Sequence, residues 1–273
     1  MTSPNVTLFN SGLDATAHRP WPLPSSPWAI SMRWASLAFL HWPMPASALR
    51  PLVPASLEID TFEGEAWIGV VPFRMERTKL RGLPLVPGTH TFGEFNVRTY
   101  VRHGPTGRAG VWFFSLDAAS FLAVWAARVG FGLPYFNAEI IVARDNIVTE
   151  DTGPAKATDV APLAVRYVSR RRHRGAPDAA FRATVAPANS RVVAGPGSLT
   201  HWFTERYALF ATRLGKLITG DIYHRPWPLR PAEARIETNT LVSAWGMDLP
   251  DIEPWVHYAD TVDVVAWAPR VLR

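Results

Sequence analysis

The sequence predicts an α+β chain dominated by an antiparallel sheet that closes into a β-barrel, with a few short helices packed outside. Three observations predict this. Ten segments alternate in polarity or concentrate β-branched and aromatic residues, and only three show helical spacing. Turns such as Glu63-Gly64 and Pro105-Thr106-Gly107 join neighbouring runs closely enough for hairpins. Many strands with few helices favour a sheet, and this number of strands favours closure.

Composition frames that fold. The chain has 273 residues, 48% hydrophobic and 12% aromatic, which is ample for one packed interior and argues against disorder. Twelve Trp suit interiors and pocket walls, while 25 Pro punctuate strands and loops. The absence of cysteine excludes disulfides, thiolate metal sites, cysteine nucleophiles and iron–sulfur clusters. Residues 1–27, with five prolines, are expected to be extended and partly mobile, and residues 28–273 to form a single β-barrel domain. Residues 146–162 read as a surface loop. No basic stretch precedes an apolar run near the N-terminus, and the longest apolar segment, Ala118 to Val129, is short of the roughly 18 residues a membrane helix needs. A cytoplasmic protein without a membrane partner is expected.

The elements follow in order. Ser36–Trp42 reads as a helix stopped by Pro43, with a short turn at Ala46–Arg50. Strands are expected at Leu57–Phe62, Ala66–Met75, Gly93–Arg102 and Gly110–Leu116. A second helix begins at Asp117 as N-cap, turns Phe121, Leu122, Trp125 and Val129 to the core, and ends at Gly130. Strands at Phe136–Ala143, Leu163–Ser169 and Phe181–Val185 precede a third helix after Ser198, whose stripe runs from Leu199 through Trp202, Phe203, Arg206 and Tyr207 to Phe210. The last strands are Thr219–His224, Glu233–Thr240 and Val262–Trp267.

Net charge is +5 and the isoelectric point about 9.9, yet the one dense basic run, Arg170 to Arg174, falls where a hairpin should turn. It reads as a solvated tip, and with no accompanying nucleic-acid motif no nucleic-acid partner is expected. The histidines form no HxxxH or HxH pair, so no metal site is expected, and His41 reads as a core histidine. Nucleotide-binding glycine signatures and the GxSxG nucleophile motif are absent, and no cofactor is expected.

The segment Phe92 to Arg102 carries the most chemistry. With a period of two, Glu94, Asn96, Arg98 and Tyr100 share one face while Phe95, Val97, Thr99 and Val101 share the other. Glu94 and Arg98 lie about 13 Å apart along an extended strand and do not simply neutralise each other. Two readings stand: a half-exposed strand whose polar face meets water, or a polar stripe lining a barrel interior. In the second, Glu94 serves as acid or base and Arg98 holds a carboxylate. The run Val111 to Leu116 is apolar on both faces, as for a buried strand, and offers Trp112 and Phe114 as aromatic walls. Gly130 to Pro134 marks a constrained turn that aims Tyr135.

Several pieces go together: Phe39-Leu40-His41-Trp42-Pro43, Trp67-Ile68-Gly69-Val70-Val71-Pro72-Phe73, Glu94 to Val101, Gly110 to Asp117, Leu133-Pro134-Tyr135-Phe136, Thr204-Glu205-Arg206-Tyr207 and His224-Arg225-Pro226-Trp227. In these the chain, from about Trp28 to Pro269, resembles the YqjF-like uncharacterised family of the acetoacetate-decarboxylase-like superfamily. The resemblance implies a cone-like antiparallel barrel enclosing a cavity, and a homo-oligomer. Decarboxylase relatives carry paired lysines after a Gly-aromatic-Pro turn, one of which forms a Schiff base. Here the matching positions are Tyr135 and Phe136, neither of which forms an imine, while the carboxylate of that site matches Glu94.

Two functions follow as expectations. The first is a small-molecule binding barrel, taking a small organic ligand such as a carboxylate, with Asn96, Arg98, Tyr100, Trp112 and Phe114 as ligand contacts and no decarboxylation through an imine. The second is a cofactor-independent lyase, hydratase or isomerase in which Glu94 and Tyr135 are catalytic.

Overall fold

A continuous apolar run satisfies a strand buried on both faces as well as it satisfies a helix. Residues 36–42 show the outcome. In the computed structural model, which describes residues 13, 15–84, 88–146 and 163–272, they form the centre of strand β1 (Ile30–Met44), buried throughout from Ala35 to Trp42. The helix expected there is therefore corrected: β1 pairs on both edges and is covered on both faces. Where it gains one residue against its neighbour, Ser36 takes a positive φ of 47°, which marks a bulge.

The remaining elements are α1 (Ala46–Leu49), β2 (Glu58–Ile59), β3 (Ala66–Leu80), β4 (Thr91–His103), β5 (Arg108–Ala118), α2 (Phe121–Phe131), β6 (Tyr135–Asn146), β7 (Leu163–Arg171), β8 (Ala180–Pro187), α3 (Leu199–Thr204), β9 (Ala208–Arg213), β10 (Lys216–His224), β11 (Leu229–Asn239), β12 (Trp255–Ala266) and β13 (Arg270–Val271). Mostly strand with few short helices, they make one sheet. Its hydrogen bonds ring through β5, β6, β7, β8, β11, β12, β1, β3 and β4 back to β5, while β9 and β10 connect β5 to β12.

The sheet is not wholly antiparallel, which corrects the expectation. β5 runs parallel to β6 and to β9. A parallel pair needs a crossover, and α2 supplies it between β5 and β6. The crossover sets the register Leu116 to Tyr135, which brings Tyr135 next to the strand that neighbours Glu94.

Two helices differ from the expected ones. Ser120 caps α2 by accepting from the Ala123 amide; Asp117 instead lies within β5 with its carboxylate 2.9 Å from Arg171. The expected core stripe of α2 is turned outward: Phe121, Leu122, Trp125 and Val129 are 70%, 50%, 60% and 53% exposed, and the helix docks instead through Val124 with Ala123, Ala127 and Phe131. α3 stops at Thr204, because Arg206 is drawn to Asp60 (2.6 Å) and Ala208 opens β9.

The basic run does turn between β7 and β8, but Arg171 points inward to Asp117 and Arg172 pairs with Glu139 at 2.8 Å, so only part of it is a solvated tip. Of residues 1–27, Arg19 donates to the Ile222 carbonyl at 2.6 Å and Trp21 to Asp221 at 3.1 Å, tying that stretch to β10. Residues 1–12 and 14, and the surface loop expected over residues 146–162 apart from Asn146, lie outside the described residues. No helix among the described residues is long and apolar enough to cross a membrane.

Candidate functional site

Both faces of β4 are covered. Phe95, Val97 and Val101 enter one apolar core, while Glu94, Asn96 and Arg98 face a cavity of about 610 Å³. The polar stripe thus lines an interior. Trp34, Phe39, Phe73, Phe113, Leu116 and Trp227 supply much of the remaining wall. Glu94 is 2% exposed and Asn96 5%, so water meets them only through this space.

Tyr135 reaches the same wall through the turn after α2. Gly132 closes the helix with φ +62°, and a Cβ there would meet the Thr212 carbonyl at 2.9 Å, so only glycine fits. Arg128 donates to the Tyr135 carbonyl at 2.7 Å and holds the turn against the helix. The Tyr135 hydroxyl then donates to Glu94 Oε2 at 2.9 Å. Burial pushes the Glu94 carboxyl up to about 8, against a smaller downward pull from the Tyr135 hydrogen bond. Burial also drives the Tyr135 phenol well above its usual range, with Glu94 adding to the rise. At neutral pH the pair is a carboxylic acid hydrogen-bonded to a phenol, a proton source in an apolar wall.

Further along the same face, Arg98 Nη2 lies 3.4 Å from the Tyr100 hydroxyl, and its guanidinium stands over the rings of Phe39 (5.3 Å) and Tyr100 (5.6 Å). Tyr100 is fully buried but stands outside the cavity lining: its hydroxyl meets His41 Nε2 and its ring packs on Trp202 and Phe203. Gly69 makes room for that histidine, since a Cβ there would fall 2.9 Å from the imidazole. His41 stacks on Phe203 and is held neutral by burial first and by Arg98 second.

Trp112 and Phe114 do not join Glu94. They lie on the other face of β5, where Trp112 donates to the Leu52 carbonyl at 3.1 Å and both line a separate hollow of about 400 Å³. The cavity receives Val111, Phe113 and Leu116 instead. A bulge between Val97 and Arg98 pairs them with Ser115 and Phe113, shifting the phase of β5 by one residue. With apolar residues on both faces, alternation had no power to choose the inward set.

Sequence reasoning missed Arg206, His224 and Trp227 as parts of the wall. Arg206, 7% exposed, was absorbed into a helical stripe, and His224 was the end of a strand. All three stand in segments that carry the family resemblance, which is the signal that marks them. Burial lowers His224 to about 4, leaving it neutral. Among the described residues, no group of three or more His, Asp or Glu side chains is placed to hold a metal ion.

Two lysines are described, and Lys156 lies outside the described residues. Lys79 is half-buried at the cavity rim. It stands six residues beyond Phe73, the partner of Glu94, with a bulge at Arg77 (φ 52°) between them, and is therefore about 17 Å along the strand from that level. Lys216 opens β10.

A family model described as an uncharacterized conserved protein (COG2071), DUF2071, matches residues 31–263. The chain belongs to the DUF2071 family. Among curated relatives, this DUF2071 chain is 41% identical over 248 residues to the uncharacterized protein YqjF of Bacillus subtilis (strain 168), covering 91% of this chain and 94% of the relative. Three solved structures share its fold. An acetoacetate decarboxylase-like enzyme from Sphingomonas wittichii RW1 superposes with a TM-score of 0.57 at 16% identity, covering 93% of this chain and 98% of the other. The enduracididine biosynthesis enzyme MppR, complexed with pyruvate, gives 0.58 at 16% identity and 93% of both chains. Acetoacetate decarboxylase from Legionella pneumophila gives 0.58 at 14% identity, covering 97% and 95%. The DUF2071 chain therefore has the acetoacetate decarboxylase-like fold.

Proposed function

We propose that this DUF2071 chain closes its nine-strand ring as a barrel and binds a small organic molecule, a carboxylate or carbonyl compound, beside Glu94 without Schiff-base chemistry. One observation carries the reading: a neutral Glu94–Tyr135 pair and the Arg98 guanidinium face one largely apolar cavity of ligand size. Lys79 at the rim is too far along β3 to share a substrate carbonyl with that pair. In this reading Asn96 and Arg98 orient the ligand, and the aromatic side chains shield it from water.

The raised proton affinity of Glu94 favours one further step, turnover as a cofactor-independent lyase, hydratase or isomerase. As a neutral acid, Glu94 delivers its proton to a carbonyl oxygen or an enolate carbon, and the Tyr135 hydroxyl steadies the carboxylate left behind. Screening small acids and carbonyl compounds by thermal shift, followed by NMR of each hit, separates the two. A hit bound but unchanged supports a binding module, and one consumed by wild type but not by Glu94→Gln supports the enzyme. A borohydride-trapped lysine adduct with any hit would refute the proposal.

A further inference from the structure

Charge is out of balance at the closed end of the cavity. Arg98 is half-buried, has no carboxylate partner among the described residues, and its Nε is buried without a hydrogen-bond acceptor. Arg206 uses Nη1 on Asp60 and Nε on the Trp202 carbonyl, both at 2.6 Å, but its buried Nη2 has no acceptor. Asp60 is also shared with Arg102 at 3.2 Å. Three guanidinium groups therefore have one carboxylate between them. Arg98 and Arg206 both line the cavity and stand 5.6 and 5.0 Å from the centroid of one ring, that of Tyr100. A guanidinium that faces a largely apolar space without a counter-charge is costly, and a planar oxyanion is the group that satisfies it.

The rest of the space is apolar. Asn96, with a buried Oδ1 lacking a donor, is the polar stop between Arg98 and Glu94. Beyond Glu94 the wall runs through Phe73, Phe92 and Met75 to Leu80, Leu122 and Trp125, which are 48%, 50% and 60% exposed and frame the mouth. A cavity of about 150 Å³ holds one benzene, so 610 Å³ is roughly four times that size. A four-carbon acid would leave most of this wall facing water.

We propose that the cavity takes an amphipathic carboxylic acid, its carboxylate on Arg98 at the end that Arg206 also lines and its apolar chain extending past Glu94 to the mouth under α2. The proposal rests on the cavity-binding reading above and adds the ligand's class and orientation.

Calorimetric titration of the full chain with straight-chain carboxylates from four to fourteen carbons tests it. Affinity should rise about fourfold per added methylene over at least four methylenes before levelling. The methyl ester of the best acid should bind at least tenfold more weakly. Arg98→Gln should weaken the acid at least tenfold and leave the ester unchanged; this position is chosen because Arg206 also holds Asp60, while the ester comparison needs no variant at all. A flat chain-length series, or an ester that binds as well as its acid, overturns the proposal. Binding of short acids or carbonyl compounds alone would overturn it while leaving the cavity reading intact. Binding of no acid or carbonyl compound of any length would overturn both.

Discussion

Glu94 and Asp117 sit on adjacent strands, one residue apart in register, since Glu94 pairs with Ala118 and Phe95 with Asp117. Both are buried, at 2% and 0% exposure, and burial raises both carboxyls. Their surroundings then part. Asp117 receives Arg171 at 2.9 Å, and that cation restrains its rise to about 6. Glu94 receives, among the described residues, the Tyr135 hydroxyl and no cation, and rises to about 8. The register step also turns Asp117 toward β7, whereas Glu94 looks into the cavity. A buried acid with a dedicated cation holds the structure together, and a buried acid without one, facing open space, has its proton free for a ligand.

The most severe break of this contrast is Asp117→Asn. It leaves Arg171 buried without its counter-charge, and loss of about 3–5 kcal/mol of stability is expected in denaturant melts. Should Asp117→Asn prove neutral, the structural role of the pair fails.

Glu94→Gln should act in the opposite direction. The folded chain binds the Glu94 proton more tightly than the unfolded chain does, so this group's contribution is greatest below about pH 4.5 and declines as pH rises to about 8. At about 1.36 kcal/mol per tenfold change in proton affinity, ionising it in the fold costs on the order of 5 kcal/mol. Gln keeps the acceptor for Tyr135 and cannot ionise. The variant should therefore lose this pH slope and be the more stable protein above pH 8, as followed by melting temperature against pH.

A smaller change sharpens the pair itself. Tyr135→Phe removes one buried hydrogen bond, worth about 1 kcal/mol, and with it the downward pull on Glu94. Carbon-13 NMR titration should show the Glu94 carboxyl shifted upward from wild type. The least effect lies at the exposed mouth: Trp125→Ser, at 60% exposure, should move stability by no more than about 0.5 kcal/mol, whereas a core-facing tryptophan would cost several times more.

Much of the site was legible in one strand. Period-two alternation put Glu94, Asn96 and Arg98 on a common face because β4 pairs with β3 without a bulge. Tyr135 was legible from its glycine–proline turn, whose positive φ at Gly132 demands glycine. Trp112 and Phe114 were misplaced because β5 carries a bulge and is apolar on both faces, so neither its phase nor its inward side is written in its pattern. The α2 stripe was misread for a related reason. Spacing shows that a helix has an apolar side, but here the side with the larger residues frames the mouth of a cavity instead of meeting the core.

By itself the sequence determined the mostly-strand character, the hairpin at the arginine run and the polar face of β4, because those depend on chain-local periodicity and turn chemistry. Tertiary structure alone decided that β1 is a strand, that β5 runs parallel to two neighbours, and that Arg206 and His224 meet Arg98 around one space. These depend on which surfaces cover one another across more than a hundred residues of chain. No local pattern encodes the covering surface, so only the packed chain reveals which acid keeps its proton.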